Sequence, residues 1–398
     1  MKKYRQVSRR EFIGAGISGA AAALFAAGRA DAQRGTSPSE LLLYVGTYTA
    51  DGKSDGIYVC AFDQAKGALS LLGSVKVADP SYLTISADGG FLFAVNELVE
   101  FEGERTGTVS AFAIDARSGG LAFLNKRSSR GGAPCYITAT KDRRFVLVAN
   151  YVGGSVACFP ADRDGNLGES VSFVANEGSG PNKDRQLAPH AHSIVLDRAE
   201  RFAFAADLGT DRIDIFGFDA ATGALRPNKV QPSYRTKPGA GPRHFEFHPD
   251  GRFAFVINEL DLTISSLRYD ETAGTLTEIQ TVPALPRGDK STGNSGADIH
   301  VSPDGKFLYG SIRGHDSIVI HRIRPDGMID YVGHAPTLGR KPRNFAIAPN
   351  GRFLLAANQS SGNIVVFGID PRNGKLTPTG VTAQVPSPVC LKFTPRAL

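Results

Sequence analysis

Tryptophan is missing from the 398 residues, methionine occurs twice and cysteine four times. Cys60, Cys135, Cys158 and Cys390 form no C-x-x-C pair and show no zinc-ligand spacing, which excludes a disulfide-stapled scaffold or a structural zinc module. They read as mostly buried thiols, with a single bridge left open. Also absent is any charge-free apolar run of the ~18 residues that a spanning helix requires, apart from a weakly apolar leader. The positive excess is small, +6 overall, and residues 1–32 hold most of it: Lys2, Lys3, Arg5, Arg9, Arg10 and Arg29 against Glu11 and Asp31. A near-neutral remainder lacks the electrostatic footprint of a nucleic-acid binder. No Gly-x-Ser-x-Gly elbow is present, and His244-Phe245-Glu246-Phe247-His248 has a strand pattern rather than the helical spacing of a zincin. What the chain does have is 45 glycines and an apolar share of 41%. That is ample material for a packed core and excludes a disordered chain.

The leader carries its own signal. Ser8-Arg9-Arg10-Glu11-Phe12-Ile13 precedes an Ala/Gly-rich stretch, and Ala30-Asp31-Ala32 supplies small residues for signal-peptidase cleavage. It resembles a twin-arginine export signal, which predicts a mature start at Gln33, passage through the twin-arginine machinery and a periplasmic location. Residues 33–398 then form one domain with no membrane segment in the mature form. Gly14-x-Gly16-x-x-Gly19 matches a dinucleotide fingerprint, but no strand precedes it and no βαβ unit surrounds it.

Self-similarity decides the architecture. One unit is an apolar alternation, a Pro-Asp-Gly-Arg-like turn, an aromatic, and four apolar residues closing on a polar one. Aligned five residues past the turn aromatic, its copies give Asn96, Asn150, Asp207, Asn258, Ile312 and Asn358. A second unit, Asp then Gly-x-Leu, recurs at Asp63/Gly67/Leu69, Asp219/Gly223/Leu225, Asp270/Gly274/Leu276 and Asp370/Gly374/Leu376. Weaker copies lie near Asp115, Asp164 and Asp326. Period-two alternation broken by Asp-Gly turns signals antiparallel hairpins, two per four-stranded propeller blade. The C-terminus holds only the first half of the first unit (Ser387–Pro395), and Leu41–Thr47 holds only the second. The expectation is an all-β, seven-bladed propeller closed by a blade built from both chain ends.

That symmetry sends two sets of positions to one mouth of the central channel. Ten and nine residues before the aromatic stand Ser81/Tyr82, Cys135/Tyr136, His192/Ser193, Arg243/His244, Ala297/Asp298, Arg343/Asn344 and Val389/Cys390. Five and six residues after it stand Thr47/Tyr48, Asn96/Glu97, Asn150/Tyr151, Asp207/Leu208, Asn258/Glu259, Ile312/Arg313 and Asn358/Gln359. A concave polar pocket on the axis is the natural site for a small molecule. Blade-to-blade connections on the same face carry Lys183, Arg185, Arg235, Lys237, Arg287 and Lys290 against Glu177, Asp184 and Asp289, a net +3 around the mouth that suits an anionic small molecule, although scattered loop charges are ordinarily solvated.

Several of these segments resemble the seven-bladed propeller lactonase family, which includes 6-phosphogluconolactonases and carboxymuconate cyclases. They are Pro189-His190-Ala191-His192-Ser193, Gly241-Pro242-Arg243-His244-Phe245, Val256-Ile257-Asn258-Glu259-Leu260 and Ala297-Asp298-Ile299-His300. Ser311-Ile312-Arg313-Gly314-His315, Pro342-Arg343-Asn344-Phe345 and Pro386-Ser387-Pro388-Val389-Cys390 join them. The resemblance implies a lactone hydrolase with His192, Arg243, Glu259 and Arg313 as catalytic residues. His190, His244, Asp298, His300, Arg343, Glu97, Tyr136 and Asn258 are then expected around an anionic lactone. No cofactor and no metal are called for. An imidazole suits the general base, an arginine the oxyanion or an acid group, and Glu259 the orientation of His244 or the role of acid. Two departures from the family pattern, Tyr136 in place of a histidine and Ile312 in place of an asparagine, are expected to reshape the mouth. Three alternatives stand beside this reading: a metal-assisted lactonase using His190 and His192, a carboxymuconate-type cycloisomerase, and a non-catalytic periplasmic ligand-binding propeller. Asn258-Glu259 also parallels Asn96-Glu97, so part of that identity reads as blade-end capping.

Overall fold

The computed structural model describes residues 40–397, and all regular structure among them is β-strand. The export signal and its cleavage site lie outside the described residues. Seven antiparallel sheets follow one another along the chain. Their innermost strands are Tyr82–Ile85, Pro134–Ala139, Ala191–Leu196, Pro242–Phe247, Ser295–Val301, Pro342–Ile347 and Pro388–Pro395, each in contact with the next around a ring. We number the blades from the one that joins the chain ends. In it, Pro388–Pro395 pairs with Glu40–Thr47, with Leu43 opposite Phe393 and Val45 opposite Leu391. Arg396 adds a 2.9 Å ion pair to Glu40. Closure leaves no inner sheet edge free to template aggregation.

The two repeat signatures turn out to be the two halves of one contact. The glycine that closes each outer Asp-containing turn has φ between 66° and 87° at Gly67, Gly119, Gly165, Gly223, Gly274, Gly327 and Gly374. Each lies against the turn aromatic (or its leucine equivalent) of the preceding blade: Gly119 on Leu42, Gly165 on Phe91, Gly223 on Phe145, Gly274 on Phe202, Gly327 on Phe253, Gly374 on Phe307 and Gly67 on Phe353. A β-carbon on Gly274 would come within 2.5 Å of the Phe202 ring. The missing side chain therefore serves both the backbone conformation and the close approach. Above these contacts, apolar faces of neighbouring blades interdigitate, as where Phe204 and Phe245 stack at 5.4 Å. Burying one such ring stabilises by about 1.5–3 kcal/mol.

Two details depart from the sequence reading. Ser233–Arg235 pairs with Arg212–Asp219 alongside Ala224–Pro227, so part of the 231–241 connection is strand. Ile312 is fully buried in the core between the fifth and sixth blades, beside Ile257 and Ile299, and does not shape the mouth. All four cysteines are free and buried.

Candidate active site

A repeated backbone device builds the mouth. In five blades a residue with φ between 38° and 63° stands directly before a proline: Asp79, Ala133, Gly241, Lys341 and Ser387. In all of these except the blade after Asp79, and also in the Ala191–Leu196 blade, which lacks this device, the ladder then skips a residue. Register shifts fall between Pro134 and Tyr136, Ala191 and Ser193, Pro242 and His244, and Pro342 and Asn344. Such β-bulges leave Cys135, His192, Arg243 and Arg343 outside the hydrogen-bonded pairing and re-aim them. Two consecutive residues of each inner strand can thus serve the channel, one tier above the other.

Glu259 is the hub of the upper tier. Its Oε2 lies 2.9 Å from Arg243 Nε and 2.9 Å from Arg313 Nη2, and its Oε1 is 2.6 Å from Arg185 Nη2. Burial alone would raise the Glu259 carboxyl, but Arg313, Arg243 and Arg185 outweigh it and hold the group far below the usual range. Glu259 is therefore a permanent anion. The expected role as proton donor is overturned, because three guanidiniums rather than carboxylates surround it. Arg243 is 1% exposed, and it and Arg313 also donate to the Ala297 and Gly296 carbonyls. Their Nε–H groups, however, have no aligned acceptor. The 2.9 Å approach of Arg243 Nε to Glu259 is an ion pair without a well-directed hydrogen bond.

His192, 4% exposed, completes the tier, with Nδ1 3.6 Å from Cys135 Sγ and its ring edge-on to Tyr151 and to His244. Burial, then the charges of the nearby Arg243 and Arg343, hold its imidazole neutral, well below 6.5. Arg343 lies over the Tyr48 ring at 5.4 Å, and Tyr48 donates to Glu97 Oε2 at 2.8 Å. Among the described residues no carboxylate forms a salt bridge with Arg343. His190 stacks on Tyr151 at 4.5 Å, with Nδ1 2.9 Å from the Tyr151 carbonyl, on the outer ring of the mouth.

The lower tier is the floor. Tyr136 stacks on Tyr82 at 4.2 Å, and both present edges to His244. Asp298, 1% exposed, receives His244 Nδ1–H at 2.7 Å, His300 Nε2–H at 3.1 Å, Asn344 Nδ2 and the Phe345 amide. Asp298 thus fixes the His244 tautomer and leaves its buried Nε2 as an acceptor with no donor. Burial and then Arg243 push the His244 imidazole down to about 3. His300 contacts Glu246 at 3.5 Å and remains 22% exposed.

Several sequence expectations need correction. Asp298, not Glu259, orients His244. Asp298 itself, saturated by four donors, and His300, one layer below it, stand away from the mouth and support the floor. Asn258 turns into its own blade, donating to Thr263 Oγ1 at 2.8 Å, and acts as a blade-end cap like Asn96 and Asn150. His190 and His192 are split by the bulge, and no group of three or more His, Cys, Asp or Glu among the described residues is arranged to hold a metal ion. Tyr48, Tyr151, Cys135 and Arg185 join the site without having been singled out. The first three occupied slots equivalent to Glu259 and Arg243, so the repeat alignment contained their signal. A groove of about 780 Å³ lies elsewhere, among turn residues such as Asp304, Asn350 and Arg352, and gathers no imidazole and no buried cluster of charge.

The family described as "Lactonase, 7-bladed beta-propeller" matches residues 42–393. A 6-phosphogluconolactonase of Bacillus subtilis is 39% identical over 353 residues, spanning 88% of this chain and 97% of that protein. One of Formosa agariphila is 37% identical, over 84% of this chain and 94% of its own. The solved structure of a periplasmic gluconolactonase from Pseudomonas aeruginosa superposes with a TM-score of 0.84 at 34% identity, covering 90% of this chain and all of that one. The ring of bulged inner strands, with its arginine-bound carboxylate and paired imidazoles, is thus the mouth of a protein that belongs to the seven-bladed β-propeller lactonase family.

Proposed function

We propose that the protein is a lactone hydrolase that opens the ring of an anionic sugar-acid lactone with a base-activated water. One observation carries the reading. Within a single buried cluster, the Arg313 Nε–H has no acceptor, the Arg243 Nε–H faces Glu259 at 2.9 Å without a well-directed hydrogen bond, and an imidazole nitrogen (His244 Nε2) lacks a donor. Orphaned buried groups are costly, about 1–3 kcal/mol each, and a reacting lactone and water would satisfy the Arg313 donor and the His244 acceptor. The donor fits the oxyanion of the tetrahedral intermediate, and a neutral imidazole fits the proton of the attacking water. His192, nearer the mouth, takes that proton and returns it to the leaving ring oxygen. His244, locked by Asp298, positions the water from below. Glu259 holds both arginines in place. Four guanidiniums (Arg185, Arg243, Arg313, Arg343) outnumber the two carboxylates Glu259 and Glu97, which favours an acidic substrate.

Export by the twin-arginine route, with cleavage after Ala32, belongs to the same proposal. It rests on Ser8–Ile13 and on the periplasmic location in the name of the Pseudomonas relative. Replacing Arg9 and Arg10 by lysine should retain the protein in the cytoplasmic fraction. For the chemistry, purified protein should hydrolyse gluconolactone or its 6-phosphate, followed by proton release. His192→Gln and Arg243→Ala should each lower kcat/KM at least a hundredfold, while Lys229→Ala, a surface change, should not. Lack of turnover on sugar-acid lactones alongside turnover of a carboxymuconate lactone would favour the cycloisomerase. Binding without turnover of either would leave a ligand-binding propeller, and inactivation by a chelator would return the metal-assisted alternative.

A further inference from the structure

The most exposed charge on the Glu259 hub comes from a loop, and that loop is built rather than loose. Between Ser172–Ala175 and Ala191–Leu196 the chain makes a strap whose pivot is Gln186, a fully buried amide. Gln186 Nε2 donates to the Leu208 carbonyl at 2.8 Å and to Asp211 Oδ1 at 2.7 Å, while its Oε1 accepts the Asn182 amide at 3.1 Å. Asn182 Oδ1 in turn accepts the Asp184 and Arg185 amides, and Gly180 closes the strap onto the Gln186 carbonyl at 2.9 Å. A β-carbon on Gly180 would fall 2.5 Å from the Gln186 side chain, so the strap packs flush on its pivot. Asp211 also receives the Gly239 and Gly241 amides, which ties the strap to the segment that launches Arg243.

The product of this construction is the position of Arg185. Its Nη2 donates to Glu259 Oε1 at 2.6 Å and to the Tyr151 hydroxyl at 3.2 Å. Glu259 does not need it for neutralisation, because Oε2 already faces Arg243 and Arg313. The Arg185 side chain is 41% exposed, against 2% for Arg243 and 10% for Arg313. A guanidinium that is held in place, redundant for charge balance and open to solvent has donors to offer an incoming anion. The planar fork suits the paired oxygens of a carboxylate or phosphate.

We propose that Arg185 is a specificity-determining residue, the outer clamp that reads the acidic substituent of the lactone and sets the preference for charged over neutral substrates. This inference rests on the lactone-hydrolase reading. The test compares the purified protein with Arg185→Met, Arg185→Lys and Lys183→Met on neutral gluconolactone, on its 6-phosphate and on a lactone bearing a free carboxylate. The ratio of kcat/KM for charged over neutral lactone should fall at least tenfold in Arg185→Met, chiefly through KM, and recover in part in Arg185→Lys. Lys183→Met, which removes a charge from the same strap, should leave the ratio as it is. Raising salt from about 0.05 to 0.5 M should depress the wild-type ratio more than that of Arg185→Met. Loss by the same factor on every substrate, or an equal shift in Lys183→Met, overturns the proposal. Calorimetric binding of 6-phosphogluconate against gluconate keeps the two readings apart. If the wild type hydrolyses nothing, the hydrolase reading fails, yet an Arg185-dependent preference for the phosphorylated acid would still support the clamp and its absence would refute it. If only the phosphorylated lactone shows the effect, the clamp reads phosphate rather than carboxylate.

Discussion

At the scale of single residues the site is governed by one buried anion and two neutral imidazoles. Glu259→Gln should leave Arg243 and Arg313 as uncompensated charges in a water-poor cluster, an expected loss of about 3–5 kcal/mol. Chemical denaturation should show a lower midpoint with an unaltered slope. The imidazoles make a separate prediction. Since burial and Arg243 hold His192 well below 6.5, its base form is already complete throughout the neutral range. The pH profile of kcat/KM should therefore show no inflection near 6.5 from this residue and should fall only at more acidic pH. Much of this was visible in the sequence, because repeat phasing alone places His192, Arg243, Glu259 and Arg313 in equivalent slots. Which partner each would find was not visible. Asp298 and His300, two apart, do share a strand face, but only the depth of that face in the channel decides that they brace the floor instead of touching substrate. Arg185 was visible only as one of six basic residues near the mouth, because its direction depends on a buried amide, Gln186, whose partners lie 22 and 25 residues away.

At the scale of elements, hairpins and turns explain residues that the chemistry does not use. Asn258 caps its blade end through Thr263, so Asn258→Ala should cost about 1–3 kcal/mol of stability and spare the site's arginines. Gly274→Ala meets both a left-handed backbone and the Phe202 ring and should cost on the order of 2–3 kcal/mol. His321, inside Ser317–Ile323, is a buried imidazole with Nδ1 unpartnered, and burial pushes it down to about 4. The folded protein then binds fewer protons than the unfolded chain between pH 6.5 and about 4, so stability is full above 6.5 and drains as pH falls through that window. This one group accounts for roughly 3 kcal/mol across that window. In His321→Leu the fall in Tm from pH 7 to pH 4.5 should be smaller than in the wild type. Hairpins and their Asp-Gly turns were legible from alternation. The bulges were not, because hydrophobic alternation does not report where a ladder skips a residue.

For the molecule as a whole, ring closure is the decisive event. The number of blades followed from counting repeats, and the shared blade from the two half-units at the chain ends. A chain ended at Gln384 would lack Pro388–Pro395 and leave Glu40–Thr47 as an open, largely apolar edge. We expect aggregated or unfolded material in size-exclusion chromatography and no cooperative thermal transition. The reciprocal contact of glycine with the preceding aromatic explains why the ring tolerates so little asymmetry: each blade presents the donor half of a joint to one neighbour and the acceptor half to the other.

The bulged positions follow a different logic. Because Cys135, His192 and Arg343 sit outside the strand ladder, exchanging their side chains does not tax the backbone pairing that keeps the ring shut, whereas Arg243 shares that freedom from the ladder but is tied to Glu259 and must stay. The scaffold is in this sense a chassis with interchangeable fittings. A combinatorial library restricted to Cys135, His192 and Arg343, with Arg243 held constant, should retain a high proportion of folded members while sampling new substrate preferences, which makes the hub of this wheel a natural starting point for directed evolution.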